Sequence, residues 1–592
     1  ATWHKQDILS IHMEKRGFLA VGFVIVFLGL YHMDLTKSPS AAADLGEKIA
    51  NIPERMAGFL RAAPADDVPS RMARLQREAQ SVRKEIEARW GVSPASFSEA
   101  LSRGIAWQRA EDDLFSALAA GSLSAGASGA GGDPPGALAA GSGGRFVFAF
   151  LGSSVTAGHD NFFNQSYPQV MERVLAPVFA LGGVELVVRN QAMGGAPCLP
   201  SALCVETLAG PDINILGWEY DMMMGRSSEV MIETALRNAA ALPNTPSFLY
   251  IHADAPIGPA RPGKPQANNT GKPLPPPEHN LVLDYYGKRG YGNAILTTGR
   301  AYWGRDHEHP FTNRDFQAKD KPWGPAAGWH PGPIGHRFRG DVLAHNYLSM
   351  LQAAALRLSM AHSPGAPLPP PPSRNRTVPL KLPAPYKCDP RFCARAPTCL
   401  TTYEPRFVQD SLNVAPHAHN GWKLSISGAD AGAVKRSQER SSGYRDYKIV
   451  WMSHFKNESD TWLSLDLPAV GARGGSVWVC EASTGWKYPK EQLPLSSAGE
   501  VRLSPAHTSA DAAGWTPAVL LAGGNGTSVM GNPTAPTKPE RTPLCSQLLL
   551  RGEGGGLAPL PPGRHAMHVR VGGGAVGLKV GMYASFAQVI VW

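Results

Sequence analysis

A short apolar strand that ends in a glycine and two serines constrains the fold of this chain more than any other feature. Phe146 to Leu151 is an unbroken run of aromatic and aliphatic residues, which is typical of a parallel strand buried on both faces. Gly152 ends the run, and Ser153 and Ser154 follow it directly. Because open α/β sheets bind ligands at the carboxyl ends of their strands, this position suits a nucleophilic serine.

Helical and extended patterns alternate along the chain after this strand. Helices are predicted at residues 167–181, 228–242 and 340–362, and strands at 184–189, 212–218 and 248–253. Alternation of this kind predicts a parallel sheet with helices on both faces. We therefore expect a three-layer αβα domain over residues 145–362.

Three short motifs occur in order within this domain. Gly152–Gly158 reads GSSVTAG, Asn190–Gly195 reads NQAMGG, and His330–His336 reads HPGPIGH. Together they resemble the first, second and last conserved blocks of the SGNH (GDSL-type) hydrolases. The resemblance implies an SGNH-like fold and a serine ester hydrolase or acyl transferase.

The resemblance also assigns roles to single residues. It implies that Ser154 is the nucleophile, that His330 is the base, and that the backbone N–H groups of Gly195 and Ser154 bind the oxyanion. Ser153 stands where the family usually has Asp, and two further departures affect the chemistry: Met223 occupies the place of the oxyanion Asn, and Ala327 the place of an Asp three residues before the histidine. We therefore expect weak activity, because one oxyanion donor and the usual partner of His330 are missing.

Another acid would have to orient His330 if the site is active. The sequence does not choose among four candidates, which are Glu219, Asp306, Asp315 and Asp320. His307-Glu308-His309 has metal-binding residue types, but successive side chains of a loop seldom converge on one ion. We expect no metal and no cofactor.

The first part of the chain predicts a membrane anchor. Residues 17–33 carry no charge, and seventeen residues is at the lower limit for spanning a bilayer. A cleaved signal peptide is the alternative, although no small-residue cleavage site comes directly after Met33. Lys15 and Arg16 precede the span, which predicts a single-pass type II protein with its bulk in the Golgi lumen or at the cell surface. Glycosylation sequons beyond the span agree with this side; they begin at Asn164, Asn268, Asn375, Asn457 and Asn525.

The remaining segments divide by composition. Met72, Leu75, Ala79, Val82 and Ile86 form one apolar stripe on a charged helix, which predicts a helical stem with a surface for packing or oligomer assembly. Beyond the last linker, short alternating segments with Gly-rich turns predict a β-sandwich. The expected order is a cytosolic leader (1–16), the anchor (17–33), the stem (34–119), a Gly/Ala/Ser linker (120–144), the SGNH-like domain (145–362), a Pro-rich linker (363–398) and the β-sandwich (399–592).

The cysteines and the charges add two further expectations. Cys198 and Cys204 are close enough in sequence for a short disulfide in an oxidising compartment, whereas the pairing of the other five is open. The net charge of +9 is spread thinly with no Lys/Arg block, so we expect no nucleic-acid partner.

Two functional hypotheses follow. The first is a membrane-anchored SGNH-type esterase or acyl transferase that acts on acylated glycans or glycoproteins. The second is a catalytically silent SGNH-like ectodomain that serves as a glycan-binding or assembly component, which Ala327 and Met223 favour. Ester turnover, or a carboxylate within hydrogen-bond distance of His330, separates the two.

Overall fold

The computed structural model describes the chain from residue 67 to residue 591 in segments. These are residues 67–103, 105–127, 144–194, 198–220, 228–252, 281–289, 291, 293–296, 320–321, 324–325, 330–362, 382–388, 393, 397–402, 407, 418–420, 422–426, 449–454, 461–467, 469–470, 476–480, 500–505, 516–522, 545–551, 554–571, 583–586 and 588–591. None of the helices in these segments is long and apolar enough to span a bilayer, and the predicted anchor at 17–33 lies outside them.

A six-stranded sheet forms the centre of the α/β part. Its strands are β1 (Leu101–Arg103), β2 (Gly144–Gly152), β3 (Val184–Asn190), β4 (Ile215–Glu219), β5 (Ser247–Ile251) and β6 (Asn293–Leu296). The spatial order is β1-β6-β5-β4-β2-β3. All neighbours run parallel except β1, which pairs antiparallel with β6. The predicted parallel sheet is confirmed, and β2 lies inside it between β3 and β4.

Helices cover both faces of this sheet. They are α1 (Val68–Trp90), α2 (Pro94–Glu99), α3 (Ile105–Ala127), α4 (Ser154–Ala157), α5 (Tyr167–Leu181), α6 (Cys198–Leu203), α7 (Val205–Ala209), α8 (Ser228–Ala240), α9 (Leu281–Gly287) and α10 (Pro333–Ala361). Phe146, Phe148 and Phe150 of β2 pack with α1, α3, α5 and α10 on one face. Val147, Ala149 and Leu151 pack with α6 to α9 on the other, which explains why the strand is apolar throughout.

The helix predicted as part of a stem belongs to the core of the α/β part. Met72, Leu75, Ala79 and Ile86 of α1 are buried, and they pack in the same cluster as α10. Arg89 and Trp90 each donate to Asp341 of α10, at 2.7 and 2.8 Å. Because the apolar stripe of α1 packs against α10, residues from 68 onward belong to the α/β part and do not form a separate stem.

The predicted Gly/Ala/Ser linker is also shorter than expected. α3 continues to Ala127, so the first residues of the segment 120–144 are helical. Gly144 is already the first residue of β2, where a Cβ atom would lie 1.9 Å from the Ala117 carbonyl oxygen. Glycine is required there because α3 crosses the start of β2 in close contact.

The second part of the chain is antiparallel. Its described strands are β9 (Thr398–Thr401), β10 (Ala418–Asn420), β11 (Trp422–Ile426), β12 (Ile449–His454), β13 (Thr461–Asp466), β14 (Val477–Cys480), β15 (Glu500–Pro505), β16 (Thr516–Ala522), β17 (Cys545–Arg551), β18 (Leu557–Ala558), β19 (His565–Val571), β20 (Tyr583–Phe586) and β21 (Gln588–Val591). Strands β11, β12 and β20 form a small sheet separate from the large one. Trp422 of the small sheet packs in one cluster with Leu463 and Leu465 of the large sheet. The finer description as a β-sandwich stays a prediction.

A disulfide joins the two parts, and it corrects the predicted pairing of Cys198 with Cys204. Cys204 is bonded to Cys399, 195 residues away. Thr207 of α7 donates to the Cys399 carbonyl oxygen at 2.6 Å, so β9 is held against α7 at the point where the disulfide forms. The partner of Cys204 is thus chosen by the packing of β9. A second disulfide links Cys388 to Cys393.

A buried carboxylate fixes the end of the predicted Pro-rich linker. Glu233 of α8 has no exposed surface and accepts the backbone N–H groups of Tyr386, Lys387 and Cys388 at 2.6, 2.6 and 2.7 Å. It also accepts the Tyr286 hydroxyl at 2.6 Å. Residues 382–388 are therefore docked on the α/β part and do not act as a free spacer.

Candidate active site

The nucleophile candidate lies on a tight turn at the end of β2. Ser153 precedes the one-turn helix α4, and its Oγ accepts the Val155 N–H at 3.3 Å. Ser154 is the first residue of that helix and is partly exposed. The strand-to-helix turn thus presents the Ser154 hydroxyl at the carboxyl edge of the sheet, where the sequence analysis placed it.

His330 reaches this hydroxyl from the loop before α10. Its Nε2 lies 2.9 Å from Ser154 Oγ. The imidazole side chain is only 8% exposed, so the contact is largely shielded from water. The structure therefore brings together the two residues that the resemblance proposed as nucleophile and base.

Asp160 supplies the carboxylate that the sequence analysis did not find. Its Oδ2 lies 2.6 Å from Nδ1 of His330, and both side chains are 8% exposed. Since an ionised carboxylate only accepts hydrogen bonds, Nδ1 carries the proton and Nε2 is left as the acceptor for the Ser154 hydroxyl. The three side chains form one continuous chain of hydrogen bonds.

A second turn explains how Asp160 comes so close to the nucleophile. Gly158 ends α4 with φ of 84°, and Asp160 has φ of 66°, a conformation that Asp and Asn tolerate better than other non-glycine residues. Asn161 donates to the carbonyl oxygens of His159 and Pro331 at 2.9 and 2.8 Å. Asn161 thereby ties the turn that carries Asp160 to the loop that carries His330.

Glu219, one of the acids proposed to orient His330, lies instead beneath the nucleophile turn. It is fully buried at the end of β4, where its Oε2 accepts the hydroxyls of Ser153 and Thr156 at 2.8 and 2.9 Å. Glu219 therefore holds the nucleophile turn from the neighbouring strand, and the carboxylate within hydrogen-bond distance of His330 Nδ1 is that of Asp160. Asp306 and Asp315 lie outside the described residues, and Asp320 belongs to the short strand β7 (Asp320–Lys321), which pairs with β8 (Gly324–Pro325).

Tyr167 extends the buried network beneath the nucleophile turn. Its hydroxyl lies 2.7 Å from Thr156 Oγ1, which in turn donates to Glu219. Burial, followed by the negative charge of Glu219, raises the pKa of Tyr167, so the phenol stays protonated and can donate. The network runs from the Glu219 carboxylate at one end to a neutral phenol at the other.

The oxyanion side of the site is only partly described. Asn190 at the end of β3 donates to the Thr156 carbonyl oxygen at 2.8 Å, and Met193 N–H donates to the Gly152 carbonyl oxygen at 3.0 Å. These bonds place the second sequence block beside the nucleophile turn. The proposed oxyanion donor Gly195 lies outside the described residues, as do Met223 and Ala327.

Among the predicted glycosylation sites, Asn164 is exposed, and the other four lie outside the described residues.

His336 has a structural position next to the site. Its Nδ1 accepts the N–H of Tyr167, the first residue of α5, at 3.3 Å, in place of a side-chain cap from Ser166. Burial, followed by the positive charge of Arg339, lowers the pKa of His336 to about 3. His336 is therefore neutral at ordinary pH and serves as a helix cap for α5.

This buried histidine predicts acid sensitivity. Its pKa rises from about 3 when folded to the ordinary value of 6.5 when unfolded, so the unfolded chain binds the extra proton between these values. The stabilising contribution is complete above pH 6.5 and is lost as the pH falls toward 3, at about 1.4 kcal/mol per pH unit. In His336→Gln, whose amide oxygen can still accept from Tyr167, the free energy of unfolding should fall less steeply between pH 6.5 and 4. Parallel pH profiles for the two proteins would contradict this.

Comparison with known proteins gives structural likenesses only. No protein-family profile matches the sequence, and no curated protein matches it. Similar solved structures include a two-domain esterase (CEX) active on acetylated mannans, with 13% identity and a TM-score of 0.33 over 75% of this chain and 91% of its own. TesA has 14% identity and a TM-score of 0.22 over 34% of this chain and 97% of its own. The acetyl xylan esterase AlAXEase has 14% identity and a TM-score of 0.23 over 33% and 98%.

Proposed function

We propose that the chain is a serine ester hydrolase or acyl transferase that acts on acylated glycans or glycoproteins. The observation that supports this most is the hydrogen-bonded sequence from Ser154 Oγ to His330 Nε2 and from His330 Nδ1 to Asp160 Oδ2. Nucleophile, base and orienting acid in this arrangement are the parts of a catalytic triad, whatever the fold that carries them.

The proposed reaction has two halves. Ser154 Oγ attacks the ester carbonyl carbon while its proton passes to His330 Nε2, and Asp160 stabilises the imidazolium that forms. The bond from the carbonyl carbon to the alcohol oxygen then breaks, and the alcohol leaves with the proton from Nε2. A water molecule or an acceptor hydroxyl attacks the acyl-serine in the same way, which regenerates Ser154 and gives hydrolysis or transfer.

Asp160 removes one of the two reasons for expecting weak activity. The carboxylate that Ala327 cannot supply is provided from the nucleophile's own turn. The missing oxyanion side chain at Met223 remains, and loss of one such donor costs about 2.7–4 kcal/mol of transition-state stabilisation. Among the described residues, the candidate donor to the oxyanion is the Ser154 N–H. It lies at the start of α4, where helical N–H groups lack intrahelical partners.

The acylated glycan and the location belong to the proposal. The sequence resemblance motivates an ester substrate, and the sequons motivate the secretory pathway or the cell surface. Acetylated mannan and xylan, on which two of the similar esterases act by name, are suitable first substrates. Residues 17–33 motivate the single-pass anchor. Protease protection in sealed vesicles, followed by glycosidase treatment, would test the topology.

A fluorophosphonate probe tests the nucleophile directly. Wild-type protein should be labelled, and Ser154→Ala should lose the labelling together with acetyl-ester turnover, because the Ser154 hydroxyl is the group that lies 2.9 Å from Nε2 of His330. Ser153→Ala is the matched control: it removes the neighbouring hydroxyl, with its cap on α4 and its bond to Glu219, but leaves the nucleophile in place. Labelling that survives in Ser154→Ala would refute the assignment. Absence of labelling and turnover in the wild type would favour the catalytically silent ectodomain.

A further inference from the structure

Glu219 contacts the residues on both sides of the nucleophile. Its backbone carbonyl oxygen accepts the Ser153 N–H at 2.9 Å, and its Oε2 accepts the hydroxyls of Ser153 and Thr156 at 2.8 and 2.9 Å. Ser153 directly precedes Ser154, and Thr156 is the second residue after it. One residue of β4 therefore accepts three donors of the turn that carries the nucleophile.

These contacts are shielded from water. Glu219 and Thr156 have no exposed surface, and Ser153 is 2% exposed. A buried hydroxyl that loses its acceptor has to move until it finds another acceptor or reaches water. The present shape of the turn therefore depends on Glu219 accepting both hydroxyls.

The opposite neighbour of β2 contacts a different set of atoms in the same turn. Asn190 at the end of β3 donates to the Thr156 carbonyl oxygen at 2.8 Å. The Met193 N–H, just beyond that strand, donates to the Gly152 carbonyl oxygen at 3.0 Å. The β3 side thus bonds to acceptors of the turn, and Glu219 bonds to its donors. The contacts from β3 cannot replace Glu219, because they satisfy different groups.

The contacts of Glu219 also set the direction of the proposed oxyanion donor. Ser153 Oγ donates to Glu219 and accepts the Val155 N–H at 3.3 Å, so it links Glu219 to the first turn of α4. The Ser154 N–H lies in sequence between the N–H groups of Ser153 and Val155, which are both bonded in this way. A rotation of α4 would turn the hydroxyl and the N–H of Ser154 together away from the carbonyl group on which they act.

We propose that Glu219 is a positioning residue for catalysis, which acts through Ser153 and Thr156 to fix the reactive direction of Ser154. Glu219 takes no proton in the reaction, because the proton passes between Ser154 Oγ and His330 Nε2. Its contribution is large in this chain because Met223 stands in place of the oxyanion Asn, which leaves the oxyanion to backbone N–H groups. This inference rests on the proposed function and names the residue that supports its nucleophile.

Steady-state kinetics with p-nitrophenyl acetate test this role. In Glu219→Leu, kcat should fall roughly 100-fold, as expected for a small misplacement of the reacting groups. KM should stay within about threefold of wild type, because the change acts on the transition state. Glu219→Gln keeps an amide oxygen for the two hydroxyls, so it should restore kcat to within about tenfold of wild type.

Glu233→Leu is the matched control for the loss of a buried carboxylate. Glu233 is as fully buried as Glu219, but its acceptors serve the backbone of residues 386–388. This variant should lose stability and keep kcat within about threefold of wild type. Equal losses of kcat in Glu219→Leu and Glu233→Leu would mean that Glu219 acts only through the stability of the fold, which would overturn the inference.

Variants on the other side of the contacts show whether Glu219 acts through the two hydroxyls. Ser153→Ala and Thr156→Val leave Glu219 in place, and each should slow turnover and fluorophosphonate labelling roughly tenfold. In the double variant, adding Glu219→Gln should cost no further kcat, because the contacts it weakens are already absent. Wild-type kcat in both single variants would overturn the inference even if Glu219→Leu does not fold. An undiminished further loss from Glu219→Gln would overturn it as well.

Hydrogen exchange keeps the inference separate from the proposed function. Mass spectrometry of the peptide that covers residues 150–161 of the full-length protein measures protection of the turn without any turnover. Exchange should be faster in Glu219→Leu and unchanged in Glu233→Leu. If the wild type shows neither turnover nor labelling, the proposed function fails, and exchange still decides whether Glu219 fixes the turn: faster exchange in Glu219→Leu alone supports it, and unchanged exchange overturns it.

Discussion

Asp160→Asn is expected to lower kcat for acetyl-ester hydrolysis by about 10⁴-fold, as the same change does in the best-studied serine triad. Asp160 Oδ2 accepts the Nδ1 proton of His330, whereas the Asn amide can present its NH₂ group there. The imidazole would then carry its proton on Nε2, and it could no longer accept the proton of Ser154. Asn is the appropriate substitution because it also tolerates the φ of 66° at this position.

Controls for this prediction come from the acids that the sequence analysis proposed. Asp306→Asn and Asp320→Asn should leave kcat within about threefold of wild type, because the carboxylate of a triad acts only through contact with Nδ1. Ala327→Asp should bring no acceleration, since Nδ1 already has a partner. A wild-type rate in Asp160→Asn, or a large loss in Asp306→Asn, would show that another acid orients His330.

Loss of the Cys204–Cys399 disulfide should destabilise the protein by up to about 5 kcal/mol. The bond closes a loop of 195 residues, and a cross-link over a long loop removes much conformational entropy from the unfolded chain. The measurement is chemical denaturation of the double variant Cys204→Ala/Cys399→Ala, in which neither thiol remains to form a new bond.

The Cys388–Cys393 disulfide is the matched control. It closes a separation of only 5 residues, so the same entropy argument gives about 2 kcal/mol for its removal. Peptide mapping without reduction should recover Cys204 linked to Cys399 from the wild type. A peptide that links Cys198 to Cys204, or equal losses of stability in the two double variants, would contradict this assignment.

Local sequence determined most of the α/β elements. The apolar run of β2, the helix at 167–181 and the stripe on α1 are recognisable because side-chain burial imposes a period on the residues themselves. The position of Ser154 follows in the same way, since a glycine after a buried strand marks the carboxyl edge of the sheet. At the end of α3 the helix continues through Ala, Gly and Ser, where composition alone predicts a linker from residue 120, so its last turns are not predicted.

The partner of His330 was decided by tertiary structure. Asp160 is only six residues from Ser154 in the printed sequence, in a stretch of Gly, Asp and Asn that signals a tight turn. That signal locates a turn, but it does not show that His330, 170 residues later, folds back onto it. Glu219 was equally plausible from sequence, and the packing of β4 against the nucleophile turn directs it to Ser153 and Thr156.

What the sequence by itself determined was therefore local: the strands and helices, and the residue that occupies the end of β2. Tertiary structure alone decided the contacts between distant segments, among them α1 on α10 instead of in a stem, Cys204 with Cys399, and Asp160 with His330. The physical reason is that periodicity records which face of an element is buried, whereas the partner it meets depends on loop closure and packing across the whole chain.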